Sequence, residues 1–185
     1  MAKKIYAVSP KKIYGVTQAK AYGVDLSTAV AATNMLVYTA SSWVEWTYNA
    51  LVTAGAAGME FTIGDAWCSA TIPAGLSVNT NYGILYEIVS NSLSTLGLMT
   101  NSDLFTSAWF KLVDVSQAAG YHKLTKTSKS SITTNVFRIL QSGSGSDGTK
   151  AKIKDIRIFE LPVGSQIATD FANDTAATLN TKYPF

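Results

Sequence analysis

Short alternating segments separated by turn residues run through most of this chain, and they limit its fold more than any other feature. Met59, Phe61 and Ile63, for example, alternate with polar neighbours, which is the period of a half-buried strand. No helical period interrupts the series before residue 163. Strands are predicted at residues 35–38, 43–46, 59–63, 66–72, 82–89, 105–115, 121–127, 133–140 and 151–161.

Turn-forming residues separate these segments, and the longest turn is the Gly/Ser-rich stretch at residues 142–148. Many short strands without intervening helices are typical of a β-sandwich or barrel. The 185 residues, 47% of them hydrophobic, are enough for one buried core. We therefore expect an all-β domain at residues 25–162, preceded by an arm at 1–24 and followed by a tail at 163–185.

The first 24 residues contain an eight-residue repeat. The segment KIYAV at residues 4–8 recurs as KIYGV at 12–16 and as KAYGV at 20–24. Because eight is an even number, one extended strand would project its tyrosines and valines on a single side. One interpretation is an assembly arm that adds strands to a partner, and the other is a frayed tail. The candidate arm residues are Tyr6, Val8, Tyr14, Val16, Tyr22 and Val24.

The last residues have helical rather than strand character. Ser165 is a suitable N-cap for a turn carrying Ile167 and Phe171, which are spaced i, i+4. Asn173 and Asp174 offer a second cap before an Ala-rich segment. We expect one or two short helices, either covering a sheet edge or serving as a contact surface for a neighbouring protein.

The composition argues against several classes of protein. Only 15% of residues are charged, and the net charge is +3, with Arg138 and Arg157 as the only arginines. The lysine clusters lack the interleaved arginines and aromatic residues of a nucleic-acid face, so we expect no nucleic-acid partner. Cys68 and His122 are the only residues of their types, which excludes an intrachain disulfide and disfavours a zinc site or a Cys–His nucleophile.

The N-terminal lysines are not followed by an apolar stretch, so we predict no signal peptide and synthesis in a cytoplasm. No run of about 18 apolar residues is present either, so we expect no membrane insertion.

Catalysis finds little support. The twelve acids are isolated in the sequence. Glu60 and Glu87 could meet on neighbouring strands, but each is explained more simply as a solvent-facing strand residue. No nucleophile elbow or phosphate-binding glycine loop is present. We expect no catalytic residues, no cofactor and no metal ligands, and therefore a protein that is not an enzyme.

Sugar recognition has better candidates, because a sugar offers both an apolar C–H surface and hydroxyl groups. Trp67 shares its predicted strand face with Ser69, and Trp109 shares its face with Lys111. The candidate carbohydrate-binding residues are therefore Trp67, Ser69, Trp109 and Lys111. Alternatively, a neighbouring subunit or the tail helices cover this face. Trp43 and Trp46 do not share a strand face and are assigned to core or edge packing.

Two segments resemble family-4-like carbohydrate-binding modules. The segment YGILYEI at residues 82–88, after a Pro/Gly turn, resembles their central strand. The segment IKDIRIFEL at 153–161, with VFRI at 136–139 before it, is similar to their closing strand pair. The resemblance covers about residues 35–162 and implies a jelly-roll β-sandwich. Calcium sites in such modules use clustered acids, and only Asp65, Glu87 and Asp155 are available here.

Such modules also occur in virion proteins of tailed bacteriophages, joined to an N-terminal arm and a helical tail that ends near a Tyr-Pro pair. The resemblance implies a non-enzymatic virion subunit, in a capsid decoration, head fibre or tail appendage, that adheres to host-surface glycans. Its partners would be other virion proteins, bound through the arm, and further copies of the chain, with a trimer favoured. The alternative is a free-standing carbohydrate-binding module that recruits a glycan-active enzyme.

Overall fold

The structure is a computed structural model of the 185-residue chain. Backbone and side chains are described for residues 32–36, 69–93, 97–101, 103–107, 109–140 and 151–185. The backbone alone is described for the strand residues 12–13, 16–17, 20–21, 24–25, 43–47, 59–61, 66–68 and 141. The chain divides into two compact units, Met1–Ala32 and Thr33–Phe185, and each is described by itself.

The larger unit is built from strands followed by two short helices. The strands among the described residues are β1 Lys12–Ile13, β2 Val16–Thr17, β3 Lys20–Ala21, β4 Val24–Asp25, β5 Trp43–Thr47, β6 Met59–Phe61, β7 Ala66–Thr71, β8 Asn81–Asn91, β9 Leu98–Thr100, β10 Phe110–Val113, β11 Gly120–Thr127, β12 Val136–Gln141 and β13 Ala151–Glu160. The helices are α1 Gln166–Asn173 and α2 Ala176–Lys182.

The described strands of the larger unit form two antiparallel sheets. One has the order β10-β9-β12-β7-β5, and the other has the order β11-β8-β13-β6. Phe137 and Ile139 of the five-stranded sheet and Ile84 and Ile158 of the four-stranded sheet belong to one buried cluster. The two sheets therefore face each other across a single core. The predicted jelly-roll β-sandwich with short C-terminal helices is confirmed.

Alternation along each strand explains which residues enter this core. In β12, Phe137 and Ile139 are buried, whereas Arg138 and Leu140 between them are half-buried. In β8, Tyr86 is buried in the cluster and stands opposite His122 of β11, whose ring stacks on it. Successive side chains of a strand point to opposite faces, so each sheet has a core face and an outer face.

The segment predicted as one strand at residues 105–115 is shorter in the structure. Only Phe110–Val113 forms β10, and Phe105 makes an isolated bridge to Ser128. The amide of Thr106 donates to the carbonyl of Thr127, and Lys129 donates to Leu104. These hydrogen bonds tie residues 104–106 to the end of β11 and the residues just after it, and Phe105 packs edge-on against Tyr82 and Phe110 in the core.

Two other strand predictions also need correction. Strand β9 was not predicted, because its three residues are too few to show an alternation. Met35 and Leu36, predicted to begin a strand, lie in a bend, where the amide of Met35 donates to the carbonyl of Ile158.

A bulge in β13 decides which of its side chains face the core and which face outward after Lys154. Pairing with β8 shifts between Lys154 and Arg157, and Asp155 within the shift has a φ of 52°. The extra residues allow Ile156 to enter the core while Arg157 stands on the outer face, opposite Leu85. Aspartate is among the few residues that tolerate this left-handed backbone conformation.

The C-terminal helices pack on the outer face of the four-stranded sheet, including its edge strand β11, which is one of the two arrangements expected from the sequence. Phe171 of α1 lies against Phe159, with ring centroids 6.0 Å apart, and a Cβ atom at Gly83 would come within 2.4 Å of the Phe171 ring. Gly83 and Phe159 are paired residues of the two central strands β8 and β13. The helices therefore form a third layer, in which α1 lies over the central strands and α2 lies mainly over the edge strand β11.

One helix cap is confirmed and the other is corrected. The Ser165 side chain accepts a hydrogen bond from the amide of Ala168, as predicted for the start of α1. The cap of α2 is Thr175, which accepts from the amide of Thr178, and not Asn173 or Asp174. Asp174 instead ends α1, where its amide donates to the carbonyl of Asp170.

The smaller unit contains two pairs of very short strands. Ile13 stands opposite Val16 in one pair, and Ala21 stands opposite Val24 in the other. In the described residues of the repeat, β1 therefore pairs with β2 and β3 with β4 in antiparallel fashion, where the sequence predicted one extended strand.

Candidate binding site

Three of the four candidate carbohydrate-binding residues occupy strands of the five-stranded sheet. Trp67 and Ser69 belong to β7, and Lys111 belongs to β10. Two strands, β9 and β12, lie between β7 and β10. At about 4.8 Å per strand spacing, the backbones of β7 and β10 are roughly 14 Å apart. These residues can therefore contact an extended ligand together but cannot enclose a small one.

The register places these residues in a common row. Lys111 stands opposite Met99, Met99 opposite Leu140, and Leu140 opposite Trp67. Directly opposed residues of antiparallel strands share a face of the sheet. Trp67 and Lys111 thus occupy register positions of one row across the sheet, which we call the outer row. The sequence predicted each residue's strand face but not that the two belong to one row.

The outer row lies on the face of the sheet that points away from the core. Leu140 alternates with the buried Ile139, Lys111 is exposed, and Met99 is half-buried. Since the helices cover the outer face of the opposite sheet, they are excluded as the cover of this one. A neighbouring subunit is the other cover that the sequence analysis named for this face.

Ser69 belongs to the next pair of residues along β7. It is half-buried and stands opposite Arg138, and Arg138 forms an ion pair with Asp103. The amide of Arg138 donates to the side chain of Asn101, which is itself buried. The sequence analysis missed Arg138 and Leu140 as members of this face. The alternation of residues 136–141 was the signal that could have found them.

Trp109 is placed differently from the prediction. It is half-buried and lies one residue before β10, so the alternation that was predicted to align it with Lys111 does not extend to it. The hydrogen bonds that hold residues 104–106 to the segment after β11 take this stretch out of the sheet. Trp109 thus remains next to the outer row in sequence but is not a member of it.

The remaining candidate residues fall partly outside the described structure. Val16 and Val24 occupy β2 and β4 of the smaller unit. Tyr6, Val8, Tyr14 and Tyr22 lie outside the described residues. Trp43 stands opposite Ala70, and Trp46 stands opposite Trp67, so the two differ in face as predicted.

The one pair of acids considered for catalysis is not brought together on neighbouring strands. Glu60 pairs with Lys152 of β13, and β13 separates β6 from β8, which carries Glu87. The carboxylate of Glu87 instead lies 3.2 Å from the ammonium of Lys154, whose pKa is raised first by this hydrogen bond and then by the charge of Glu87. The charged neighbour of Glu87 is therefore Lys154, and not a second carboxylate.

The acids considered for calcium lie next to a lysine in the structure. Lys154 also lies 4.0 Å from Asp155, so two of the three acids considered for calcium share a lysine, while Asp65 is outside the described residues. No group of three or more potential metal ligands occurs among the described residues. In that part of the chain, no helix has the length and apolar character to cross a membrane.

No family model and no curated protein matches this chain. Among solved structures it is similar to a family 29 carbohydrate-binding module from Piromyces equi, at 14% identity and a TM-score of 0.46, over 75% of this chain and 95% of that one. A family 16 carbohydrate-binding module matches at 16% identity and a TM-score of 0.46, over 68% of this chain and 99% of that one. A CBM4 structure matches at 10% identity and a TM-score of 0.43, over 64% of this chain and 94% of that one. At such values, any function must be supported by the residues of this chain.

Proposed function

We propose that this protein binds glycans, without catalysis, on the outer face of its five-stranded sheet. The observation that supports this most is the outer row, which aligns the register positions of Trp67 and Lys111 across four strands. An aromatic ring stacks on the C–H face of a sugar, while an ammonium or hydroxyl group binds its oxygens. The open, extended face suits a chain of sugar residues.

Side-chain truncation with a matched control tests this proposal. Trp67→Ala and Lys111→Ala each remove one member of the outer row, and Tyr121→Ala removes a half-buried aromatic residue from the outer face of the other sheet. We expect the first two variants to bind a glycan found on an array at least about tenfold more weakly, which corresponds to about 1.4 kcal/mol, and Tyr121→Ala to bind normally. Trp109→Ala shows whether the flanking tryptophan takes part.

Two results would end the proposal. The first is that the folded protein binds no glycan on a broad array. The second is that all four variants bind as the parent protein does. Thermal unfolding of each variant separates a lost contact from a lost fold.

We further propose that this protein is a virion subunit of a tailed bacteriophage, in a capsid decoration, head fibre or tail appendage. Its support is the sequence resemblance and the eight-residue repeat, which pairs with itself at two equivalent places. Hairpins with two-residue strands are too small to be stable alone, so they need a partner surface. Many copies held together would make weak sugar contacts effective through avidity.

Sedimentation of the full chain tests the assembly. We expect an oligomer, with a trimer favoured, that dissociates when Val16→Asp and Val24→Asp place charges in both hairpins. Val115→Asp, at an exposed position of the sandwich, is the control and should leave the oligomer intact. A monomeric parent chain would contradict the virion context and favour the free-standing carbohydrate-binding module.

A further inference from the structure

A cleft of about 450 Å³ lies at the end of the four-stranded sheet where β8 begins and where β11 and β13 end. This volume falls within the range of about 300–1,000 Å³ that is usual for small-molecule sites. Asn81 and Thr127, which are paired residues of β8 and β11, belong to its lining. The register of these strands therefore shows which side chains form the floor of the cleft.

The floor lies on the outer face of the sheet, the same face that carries the helices. Thr125 stands opposite Gly83, and a Cβ atom at Gly83 would meet the ring of Phe171 from α1. Residues two apart on a strand share a face, as do directly opposed residues of paired strands. Thr125, Thr127 and Asn81 therefore all point outward, beside the space that α1 fills.

The polar floor continues past the edge of the sheet onto Thr106. Phe105 bridges to Ser128, and both residues are buried on the core side. The amide of Thr106 donates to the carbonyl of Thr127 at 2.9 Å, so the two residues lie side by side. Because successive side chains alternate, the exposed Thr106 stands on the outward side. Thr106, Thr127 and Asn81 thus form one row across the floor.

Hydrogen bonds within this row leave groups available for a ligand. The Thr127 hydroxyl donates to Asn81 Oδ1 at 2.7 Å, which orients the side-chain amide and leaves its two N–H donors for another group. Thr106 and Thr125 are exposed, and their hydroxyls both donate and accept. The floor therefore offers donors and acceptors at neighbouring positions.

These groups are all neutral. Among the described residues that line the cleft, Lys126 alone is charged, and it stands opposite the buried Tyr82 on the core face of β11. Its ammonium lies 4.3 Å from the centroid of the Phe110 ring, on the other side of the strand from the cleft. A ligand on the floor therefore meets hydroxyl and amide groups but no charge.

The wall beside the floor is apolar. The amide of Leu161 donates to the carbonyl of Asn81 at 2.8 Å, so its side chain follows directly after the polar row. Ala168 adds a methyl group from α1, three residues before Phe171, and Val163 is 99% exposed at the rim. Apolar surface thus adjoins a row of neutral hydrogen-bonding groups.

We propose that this cleft binds a neutral sugar residue of a glycan. The Asn81 amide and the threonine hydroxyls bind sugar hydroxyl groups, and Leu161, Val163 and Ala168 contact the C–H surface. The absence of charge on the floor disfavours an acidic sugar, whose carboxylate would lose water without gaining a cation.

This inference shares its class of ligand with the proposed function but rests on different residues. Trp67 and Lys111 belong to the five-stranded sheet, whereas the cleft lies on the outer face of the four-stranded sheet. The protein would then bind glycans at two places that can be removed one at a time.

Calorimetric titration of the full chain tests the cleft. The probes are cellotetraose, xylotetraose and mannotetraose, which are neutral, and trigalacturonate, which is acidic. We expect the double variant Trp67→Ala/Lys111→Ala, which lacks the outer-row contacts, to retain binding of at least one neutral probe. It should bind trigalacturonate at least about tenfold more weakly, and added salt should leave the binding of the neutral probe nearly unchanged.

Variants of the cleft assign this binding to it. Ala168→Trp, which fills the cleft from α1, and Asn81→Ala, which removes the amide donors, should each weaken the binding at least about tenfold. Ala172→Trp and Asn173→Ala make the same changes at exposed positions of α1 outside the lining, and should bind normally. Thermal unfolding confirms that each variant is folded. The same variants in the parent chain should remove one bound oligosaccharide, so the result does not depend on the double variant.

The outcomes separate the two sites. Absence of neutral-probe binding by the folded double variant at millimolar concentration, or equal binding by Ala168→Trp and Ala172→Trp, would overturn the cleft and leave the outer row standing. Absence of binding by the parent chain would overturn both. Binding that survives the loss of the outer row but not Ala168→Trp supports the cleft.

Discussion

The outer faces of the two sheets differ in how deeply their side chains are buried. On the four-stranded sheet, Leu85, Arg157 and Phe159 are almost completely buried beneath the helices. On the five-stranded sheet, Lys111 is exposed and Leu140 is half-buried at equivalent outward positions. Both faces come from strands with the same alternation. Within the part of the chain that the structure describes, the difference shows that the C-terminal tail, and not the strand pattern, decides which outer face is covered.

Polar side chains hold the covered face together. The buried guanidinium of Arg157 donates to the carbonyl of Tyr183 at 2.6 Å and to the side chain of Asn180 at 2.8 Å. Asp170, which is 5% exposed, accepts from the hydroxyl of Tyr183 at 2.7 Å and from Lys182 at 3.0 Å. These bonds connect α1, α2 and the chain end to β13, so the three-layered side behaves as one packed structure.

The largest effect is expected at Phe171, which fills the space above Gly83. Phe171→Ala should lower the free energy of unfolding by about 3–5 kcal/mol, because it leaves a cavity between α1 and the sheet. Urea unfolding measures the change. Gly83→Ala alone should cost about 1–3 kcal/mol through the clash with the ring, and much less in the Phe171→Ala background. Additive costs would show that the helix does not rest on this glycine.

Arg157→Met tests the difference between the two outer faces, because Arg138→Met makes the same change on the outer face of the five-stranded sheet, which we call the open face. Loss of the Arg157 guanidinium leaves the carbonyls of Tyr183 and Asn180 without donors, and should cost about 3 kcal/mol. Arg138 and its partner Asp103 are partly exposed, at 26% and 37% of their side-chain surfaces. Arg138→Met should therefore cost less than about 1 kcal/mol. Equal costs, measured by urea unfolding, would contradict the distinction between the two faces.

Asp170 makes the covered face sensitive to acid. Burial raises the pKa of its carboxyl, but hydrogen bonds from Tyr183, Gln166 and Lys182 outweigh burial and bring the pKa below the ordinary 3.8. The resulting stability is present above that ordinary value and is lost as the pH falls through the lower pKa of the folded protein. Asp170→Asn should cost about 2 kcal/mol near neutral pH and reduce the loss of stability on acidification.

Unfolding midpoints of the parent chain and Asp170→Asn, measured from neutral to strongly acidic pH, check this prediction. Parallel curves for the two proteins would show that Asp170 does not carry the acid sensitivity.

The smallest effect is expected at Lys111. Lys111→Ser changes an exposed position of the open face and should alter the free energy of unfolding by less than about 0.5 kcal/mol. Thermal unfolding of the variant is the measurement. A large loss would indicate that a neighbouring subunit covers the open face, because an exposed strand residue has little to lose otherwise.

Much of the fold could be predicted from the sequence because strand alternation is local. β7, β8, β11 and β13 were predicted nearly to their ends. β9 was missed because three residues show no period, and the stretch before β10 was misassigned because hydrogen bonds to residues 127–129 compete with sheet pairing.

The sequence by itself determined most of the strands, the inward and outward sides of most of them, the cap at Ser165 and the all-β class. These follow from backbone geometry and from neighbours within a few residues. Only the tertiary structure decided that β13 separates Glu60 from Glu87, that Trp67 and Lys111 share a row, and that the helices lie over Gly83. The reason is that strand order and layer packing depend on contacts between distant segments, which alternation along one strand does not encode.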